Sequence, residues 1–194
     1  MTTRYHAPFA SGGATPIDAE TARKLLSIAL EHGGDYADLF FEYSVSGSYA
    51  YDEGILKSAG RSVTMGLGVR VMRGDATGYA YVQDFSPESM KHAAKTAAQI
   101  ARGGGAKAPV GLETRGSFDR YALPTLTLEI PGEAKRELLK RADLTARAAD
   151  PRVIRVNASF AEEIREILVA TSDGKMARDR QPLMRFGVSV IVQD

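Results

Sequence analysis

The 194-residue chain contains no cysteine, so disulfide bonds and thiolate chemistry are excluded and the composition fits a reducing compartment. No apolar run approaches the roughly 20 residues that a membrane span requires. The N-terminal segment MTTRYHAPFASGGATP also lacks the apolar block of a signal peptide. The net charge is only +1, which gives no overall attraction to nucleic acid or to anionic membranes. These absences predict a cytoplasmic protein that binds neither nucleic acid nor membrane.

Residues suited to catalysis or metal binding are also scarce. The histidines His6, His32 and His92 are too far apart in the sequence to form the helical pair that many zinc sites use. No G-x-S-x-G motif marks a nucleophilic serine. The adjacent carboxylates Glu162-Glu163 fall in a strand, where neighbours point to opposite faces, and Asp52-Glu53 falls in a solvated turn. The sequence therefore predicts no catalytic, cofactor-binding or metal-binding residues within this chain.

The stretch SVTMGLGVRVMRGDATGYAYV, residues 62–82, combines closely spaced glycines with a strand pattern. Apolar side chains occupy every second position, which predicts a strand with one buried face: Val63, Met65, Leu67, Val69 and Val71. Gly66 and Gly68 then share the other face, where they leave room for a close neighbour. A dinucleotide-binding loop would need G-x-G-x-x-G between a strand and a helix, and a Walker loop would end in Gly-Lys-Ser/Thr. Neither pattern occurs, so the glycines indicate close packing in a sheet.

The order of patterns along the chain predicts an α+β fold, in which helices pack on a mostly antiparallel, twisted sheet built from β-hairpins. Helices are expected to begin at Thr15-Pro16 and at Ser86-Pro87, and a third covers about residues 132–149. The predicted organisation is a flexible N-terminal arm (1–15), a first α+β unit (16–102), an irregular linker (103–131) and a second α+β unit (132–194). The linker contains Gly103-Gly104-Gly105 and a possible short strand, TLTLEI.

The succession of helix, strand, hairpin and alternating strand occurs twice, which indicates an internal repeat. Gly68-Val69-Arg70-Val71 in the first unit corresponds to Gly187-Val188-Ser189-Val190 in the second, and the same offset places Phe41 opposite Phe160. The first unit continues into a returning strand and a helix, whereas the second reaches Gln193-Asp194 where that turn would begin. We therefore expect the second unit to be incomplete and the chain to be cut from a longer protein.

Two further groups of residues leave alternatives open. Tyr49, Tyr51, Tyr79 and Tyr81 alternate with small residues and are expected to line one face, either as core or as a stacking or peptide-binding platform. The third helix carries basic residues, which could indicate nucleic-acid binding, but acidic residues are interspersed among them. That mixture is typical of a solvated helix face and favours no nucleic-acid role.

The segments DYADLFFEYS, VTMGLGVRVMRGDATGYAYV and DPRVIRVNASFAEEIREILVATSDG together resemble the TldD/PmbA family, and the TldD branch more than the PmbA (TldE) branch. The resemblance covers about residues 20–194. It implies a bacterial and archaeal zinc metallopeptidase system, a class of hydrolase once labelled modulator of DNA gyrase. In that system TldD subunits pair with a PmbA-type partner and carry out proteolysis of unfolded peptides, including precursors of antibiotics and antitoxin proteins.

The resemblance also limits what this chain can do alone. The family holds its zinc with an H-E-x-x-x-H helix and a later cysteine, and this sequence contains neither, so zinc is expected only in the full-length family protein and the chain alone is expected to be inactive. The implied role is the N-terminal domain of a TldD-like subunit. Our hypothesis is that sheet edges in this domain help to bind extended or unfolded peptides by strand addition, with the exposed parts of the hairpins at 48–58 and 73–82 as candidates. A PmbA/TldE-like subunit or self-association would supply the partner. The alternatives are a stand-alone protein-interaction or regulatory module and a gyrase-modulator-type protein associated with nucleic acid.

Overall fold

The chain folds into one mostly antiparallel sheet with helices packed on it. The computed structural model describes residues 5–102, 109–115, 121 and 123–193. The helices are α1 (Ala19–Ala29), α2 (Pro87–Ile100) and α3 (Gly132–Ala149), and the strands are β1 (Tyr36–Asp52), β2 (Ile55–Arg73), β3 (Ala76–Val82), β4 (Glu113–Thr114), β5 (Val153–Thr171) and β6 (Lys175–Val192). In the described residues the strand order is β3-β2-β1-β5-β6-β4; β4 and β6 pair in parallel, and the other neighbouring strands are antiparallel. The predicted α+β class is thereby confirmed.

Two local predictions are wrong. Helix α1 begins at Ala19 and not at Thr15-Pro16, because Asp18 is the residue that caps it: its carboxylate accepts a hydrogen bond from the Thr21 amide at 2.7 Å. That bond also lowers the pKa of Asp18 below its ordinary value. The expected strand TLTLEI contains instead a short 3₁₀ turn, Thr127–Glu129. Ser86 caps α2 as predicted, whereas the glycines 103–105 lie outside the described residues.

The sheet has two unlike faces. One, which we call the helix side, carries the buried β1 residues Leu39, Phe41 and Val45 and is covered by the helices. The opposite, open face carries the intervening residues of β1, including Phe40, which is 41% exposed. This alternation follows from the period of two in a strand. In the part of the chain that the structure describes, no helix is long and apolar enough to cross a membrane.

The N-terminal segment packs on the helix side, so residues 7–9 do not form the flexible arm expected for residues 1–15. Ala7 and Phe9 are buried. The Phe9 ring packs at a tilt against Phe41 and edge-to-face against Phe85, at ring-centroid distances of 5.8 and 5.4 Å. The Ala7 amide donates to Glu166, and Arg178 donates to the Phe9 carbonyl at 3.2 Å. The partners of these groups come from β5 and β6, far away in the sequence, and for that reason composition did not reveal the packing.

The register of the strands bears out the internal repeat. Phe41 pairs with Leu67 in the first hairpin, and the equivalent residues Phe160 and Phe186 pair in the second. Val45 and Ile164 are also equivalent, and they pair with each other where β1 meets β5. A local two-fold axis therefore passes between these two residues and relates hairpin β1–β2 to hairpin β5–β6.

The helices cover a shorter part of β2 than the alternating pattern of that strand predicted. Leu67, Val69 and Val71 are buried, but Val63 is 55% exposed and Met65 is 39% exposed, so the expectation that all five share a buried face is wrong for these two. The reason is that α1 and α2 cover only the half of β2 that also pairs with β3. Strand periodicity shows which residues share a face, but it does not show how far that face is covered.

Close packing of α2 on β3 requires a glycine at position 78. A Cβ atom added at Gly78 would lie 2.1 Å from the Ala97 carbonyl oxygen, which belongs to the helix backbone and cannot rotate away. Gly78→Ala is therefore expected to lower the free energy of unfolding by about 1–3 kcal/mol, measured by urea denaturation. Gly60→Ala is the control, because only the Ser48 hydroxyl at 3.9 Å is near, and its effect should stay within about 0.5 kcal/mol. Equal effects of the two changes would contradict the packing described.

Candidate peptide-binding edge of the sheet

Strand β2 has a long exposed edge that contains no proline. Strand β3 pairs only with Leu67–Arg73, so within the described residues the outer side of Ile55–Gly66 has no neighbouring strand. Every residue from Lys57 to Met65 is exposed. An exposed strand edge presents backbone N–H and C=O groups that can pair with another extended chain. We call this stretch, residues 57–65, the β2 edge.

The direction of the backbone groups follows from the register. The Ser172 amide donates to the Ala37 carbonyl, so Ala37 and every second residue after it in β1 direct their backbone groups toward β5. Their partners in β2 must then direct their N–H and C=O groups outward; these partners are Ala59, Arg61, Val63 and Met65. The β2 edge therefore offers a regular ladder of unpaired donors and acceptors.

The side chains beside the β2 edge leave space on both faces. On the helix side, Val63 and Met65 present apolar surface, while Arg61 stacks on the Tyr5 ring and donates to the Leu128 carbonyl at 3.2 Å. On the open face, a groove of about 560 Å³ starts at the edge, and it is lined by small residues of β2, β1 and β5 together with larger residues of β5 and β6. These small residues are Ser46, Ser48, Gly60, Ser62 and Ala161. An added strand could thus place large side chains on either face.

The exposed edges of β6 and β3 differ from the β2 edge. Among the described residues, the outer edge of strand β6 has no strand partner beyond its short pairing with β4, and Pro182 interrupts this edge. Position 182 is equivalent to Val63, whose backbone groups point outward. Because proline has no N–H, the outer edge of β6 lacks a hydrogen-bond donor at this position. Strand β3 is short and presents Tyr79 and Tyr81 on the open face. Of the hairpins predicted to bind peptide, residues 48–52 pair on both sides and form no edge, whereas 55–58 and 76–82 do.

The tyrosines expected on one face lie on both. Tyr51 is buried on the helix side, where Tyr49 is half-buried against Phe160. Tyr79 and Tyr81 are 57% and 66% exposed on the open face. The register of β3, which pairs Tyr81 with Gly68, fixes this division. Gly68 faces the Tyr79 ring and Gly66 faces the Val82 backbone, so both glycines accommodate close neighbours in the sheet.

The paired carboxylates separate as predicted for Glu162 and Glu163. Glu162 is buried on the helix side, where its carboxylate accepts a hydrogen bond from Lys135 at 2.5 Å. Glu163 lies on the open face and accepts hydrogen bonds from Ser44 and Arg165. At the turn, Asp52 binds Arg155 at 2.7 Å, and this hydrogen bond lowers the pKa of Asp52 below its ordinary value.

The histidines lie apart from one another. His6 is 4.0 Å from Glu166, His32 is 3.7 Å from Glu31, and His92 is exposed on α2. Among the residues that the structure describes, no group of three or more His, Cys, Asp or Glu side chains could hold a metal ion. The described residues therefore do not fit a zinc site.

The basic residues of α3 are largely engaged with acids. Arg136 contacts both Glu133 and Glu137, and Arg147 binds Asp143 at 3.2 Å. Lys135 is buried in its contact with Glu162, a pair that the sequence reasoning missed. The burial of Lys135 could have been predicted from its spacing. It lies three residues before Leu138 and four before Leu139, which places it on the buried side of the helix.

Comparison with known proteins adds the family context. The family model "PmbA/TldA metallopeptidase domain 1" matches residues 37–101, and "PmbA/TldA metallopeptidase central domain" matches residues 126–194. The chain is 33% identical over 180 residues to the metalloprotease TldD homolog of Haemophilus influenzae, covering 92% of this chain and 37% of that protein. It is 35% identical over 171 residues to the homolog of the same name from Buchnera aphidicola, covering 82% and 33%. The chain thus spans about a third of the length of these curated relatives.

Solved structures share the fold at lower identity. The crystal structure of a putative modulator of DNA gyrase from Bacteroides thetaiotaomicron superposes with a TM-score of 0.68 at 15% identity, covering 91% of this chain and 42% of that one. TldE from Thermococcus kodakarensis superposes with a TM-score of 0.54 at 17% identity, covering 91% and 38%. At these identities the likeness establishes a common fold.

Proposed function

Because this chain belongs to the TldD/PmbA family of metallopeptidases, we propose that it binds extended or unfolded peptides as substrates of a TldD-like peptidase. The observation that carries the proposal is the β2 edge, whose outward backbone groups have no strand partner in the described residues. An extended peptide would pair with it as an added antiparallel or parallel strand. Main-chain hydrogen bonds then supply affinity that depends little on sequence, which suits a protein that handles unfolded chains.

The surroundings of the β2 edge define the peptide that it would accept. Alternate side chains of an added strand would lie beside Val63 and Met65 on the helix side, and beside Gly60 and Ser62 on the open face. The first pair offers apolar contact and the second leaves the groove open. Peptides with large apolar side chains at every second position therefore fit this edge better than uniformly charged peptides.

The proposal assigns binding and no chemistry to this chain. The family resemblance implies zinc in the full-length protein, but the sequence contains no H-E-x-x-x-H motif and no cysteine. We therefore assign no catalytic residue here. The TldE structure among the neighbours supports a proposed TldE-like partner subunit; self-association, a stand-alone regulatory role, a nucleic-acid role and the cytoplasmic, bacterial setting stay predictions.

Val63→Pro tests the β2 edge directly. The change removes one outward N–H, and we expect it to weaken binding of fluorescein-labelled oxidised insulin B chain about tenfold, measured by fluorescence anisotropy. The fold should tolerate it, because Pro182 occupies the equivalent position in the second hairpin. Far-UV circular dichroism and the unfolding midpoint should stay unchanged.

Val63→Thr is the matched control, since it keeps the N–H group and the β-branched shape while altering the side chain. Its affinity for the same peptide should stay within about twofold of the original. If Val63→Pro binds the peptide as tightly as Val63→Thr, strand addition at the β2 edge is wrong.

A further inference from the structure

We propose that β6 and α3 form a docking surface for a polypeptide segment that resembles β3 and α2. Its strand pairs with residues 186–192 of β6, and its helix, with alanines on one face, packs on the helix side of the sheet next to α3. The surface is separate from the β2 edge and independent of the proposed peptide binding. It consists of the outer edge of β6 after Pro182, the helix-side residues Phe186, Val188 and Val190, and the adjoining face of α3. We call it the β6–α3 surface.

The β6–α3 surface is apolar and open. Phe186, Val188 and Val190 are 42%, 44% and 48% exposed, and Leu144 on α3 is 56% exposed. Between the helix and the strand lies a groove of about 720 Å³, whose lining is mostly apolar, with Leu138, Leu144, Phe186 and Val188 among its residues, and also includes Arg141 and Thr145. Contiguous apolar surface of this kind in a folded domain marks an interaction site.

The local two-fold axis indicates what covers this surface. The residues equivalent to Phe186, Val188 and Val190 are Leu67, Val69 and Val71, and each of these is at most 1% exposed. They are buried because β3 pairs with their strand and α2 packs across them. The two hairpins have the same register, so an element of the same kind fits the same place on β6.

The chemistry of β3 and α2 specifies that element. On the helix side β3 carries only Gly78 and Ala80 between its ends. Helix α2 and its C-cap face β3 with small side chains, namely Ala93, Ala94, Ala97 and Ala101. Small residues on both elements let the helix backbone approach the strand closely, as the contact between Gly78 and the Ala97 carbonyl shows. The occupant of the β6–α3 surface is therefore an antiparallel strand followed by a helix with a stripe of small residues.

A second copy of this chain fits the surface less well. Residues 186, 188 and 190 direct their N–H groups outward, because they lie at even positions of β6, as Pro182 does. The β6 edges of two copies could therefore pair with each other. Edge-to-edge pairing would satisfy those donors but would leave the helix-side faces of Phe186 and Val188 in water. A strand followed by a helix covers the edge and the face together.

The test extends the chain with its own strand and helix. A copy of residues 74–101 is joined directly after Val192, which reproduces the connection between Arg73 and Gly74. We expect the ellipticity at 222 nm to gain the contribution of a second 14-residue helix. Hydrogen exchange of the Phe186, Val188 and Val190 amides, followed by NMR, should slow at least about tenfold, because each gains a strand partner.

The control extension replaces the copied Ala93, Ala94 and Ala97 with lysine, which keeps the length and helix propensity but removes the small apolar stripe. It should give no protection. The proposal is overturned if the two extensions leave those amides equally exposed. It is also overturned if sedimentation shows that the unextended chain dimerises and that Val188→Lys abolishes the dimer, since the surface would then bind a second copy.

Discussion

Lys135→Met is expected to lower the free energy of unfolding by about 3–5 kcal/mol. Lys135 on α3 and Glu162 on β5 are each 3% exposed and form a hydrogen-bonded ion pair at 2.5 Å. The ammonium group also lies 5.4 Å from the centre of the Tyr49 ring and 5.9 Å from that of Phe160. Removing the cation leaves the Glu162 carboxylate buried without its partner, and its second oxygen already has no hydrogen-bond partner.

A double variant separates the cost of the unpaired charge from the value of the pair. Lys135→Met combined with Glu162→Leu should bring the free energy of unfolding to within about 1–2 kcal/mol of the original, because an apolar pair needs no compensating charge. Lys140→Met, at an exposed position of the same helix, should change it by less than about 0.5 kcal/mol. Urea denaturation measures all three. A double variant that is less stable than Lys135→Met alone would contradict this account.

Phe41→Ala is expected to lower the free energy of unfolding by about 3–5 kcal/mol, because it empties the centre of the core. Phe41 is fully buried, and its ring centre lies 5.8 Å from that of Phe9 and 6.0 Å from that of Phe85. The loss combines the transfer of the ring to water with the cavity that remains between α1, α2 and the N-terminal segment.

Phe40→Ala provides the matched control for this prediction. Phe40 neighbours Phe41 in the same strand but lies on the open face, where it is 41% exposed. Its truncation should cost less than about 1.5 kcal/mol in urea denaturation. Similar losses for the two variants would mean that the open face is covered in solution and that the division into two faces is wrong.

Several features were predictable because they depend on neighbours in the sequence. The Ser86 cap, the extent of α3 and the turn at Asp52-Glu53-Gly54 each follow from a few adjacent residues. The alternation in β2 likewise predicts that Leu67 and Val69 lie on one face of the strand and Gly66 and Gly68 on the other. The candidate site was predicted in part: the hairpin region 55–58 lies on the β2 edge, but residues 48–52 are covered on both sides.

Other features depended on pairing that no short segment encodes. The N-terminal residues Ala7 and Phe9 are buried because Glu166 and Arg178, on distant strands, bind their backbone groups. The exposure of Val63 depends on where α2 and β3 end. Phe186 is exposed because, among the described residues, no equivalent strand and helix lie beside this part of β6. The division of the tyrosines between the faces depends on the register of β3.

The sequence alone determined that this protein has an α+β fold of amphipathic helices and antiparallel hairpins, repeated once, because a period of 2 or 3.6 and a turn residue act locally. Only the tertiary structure decided that the two hairpins join about a two-fold axis at Val45 and Ile164, and that no other described residue covers the β2 edge or the β6–α3 surface. Which edges and faces are covered depends on strand register and helix placement, and these follow from contacts between residues that are far apart in the chain.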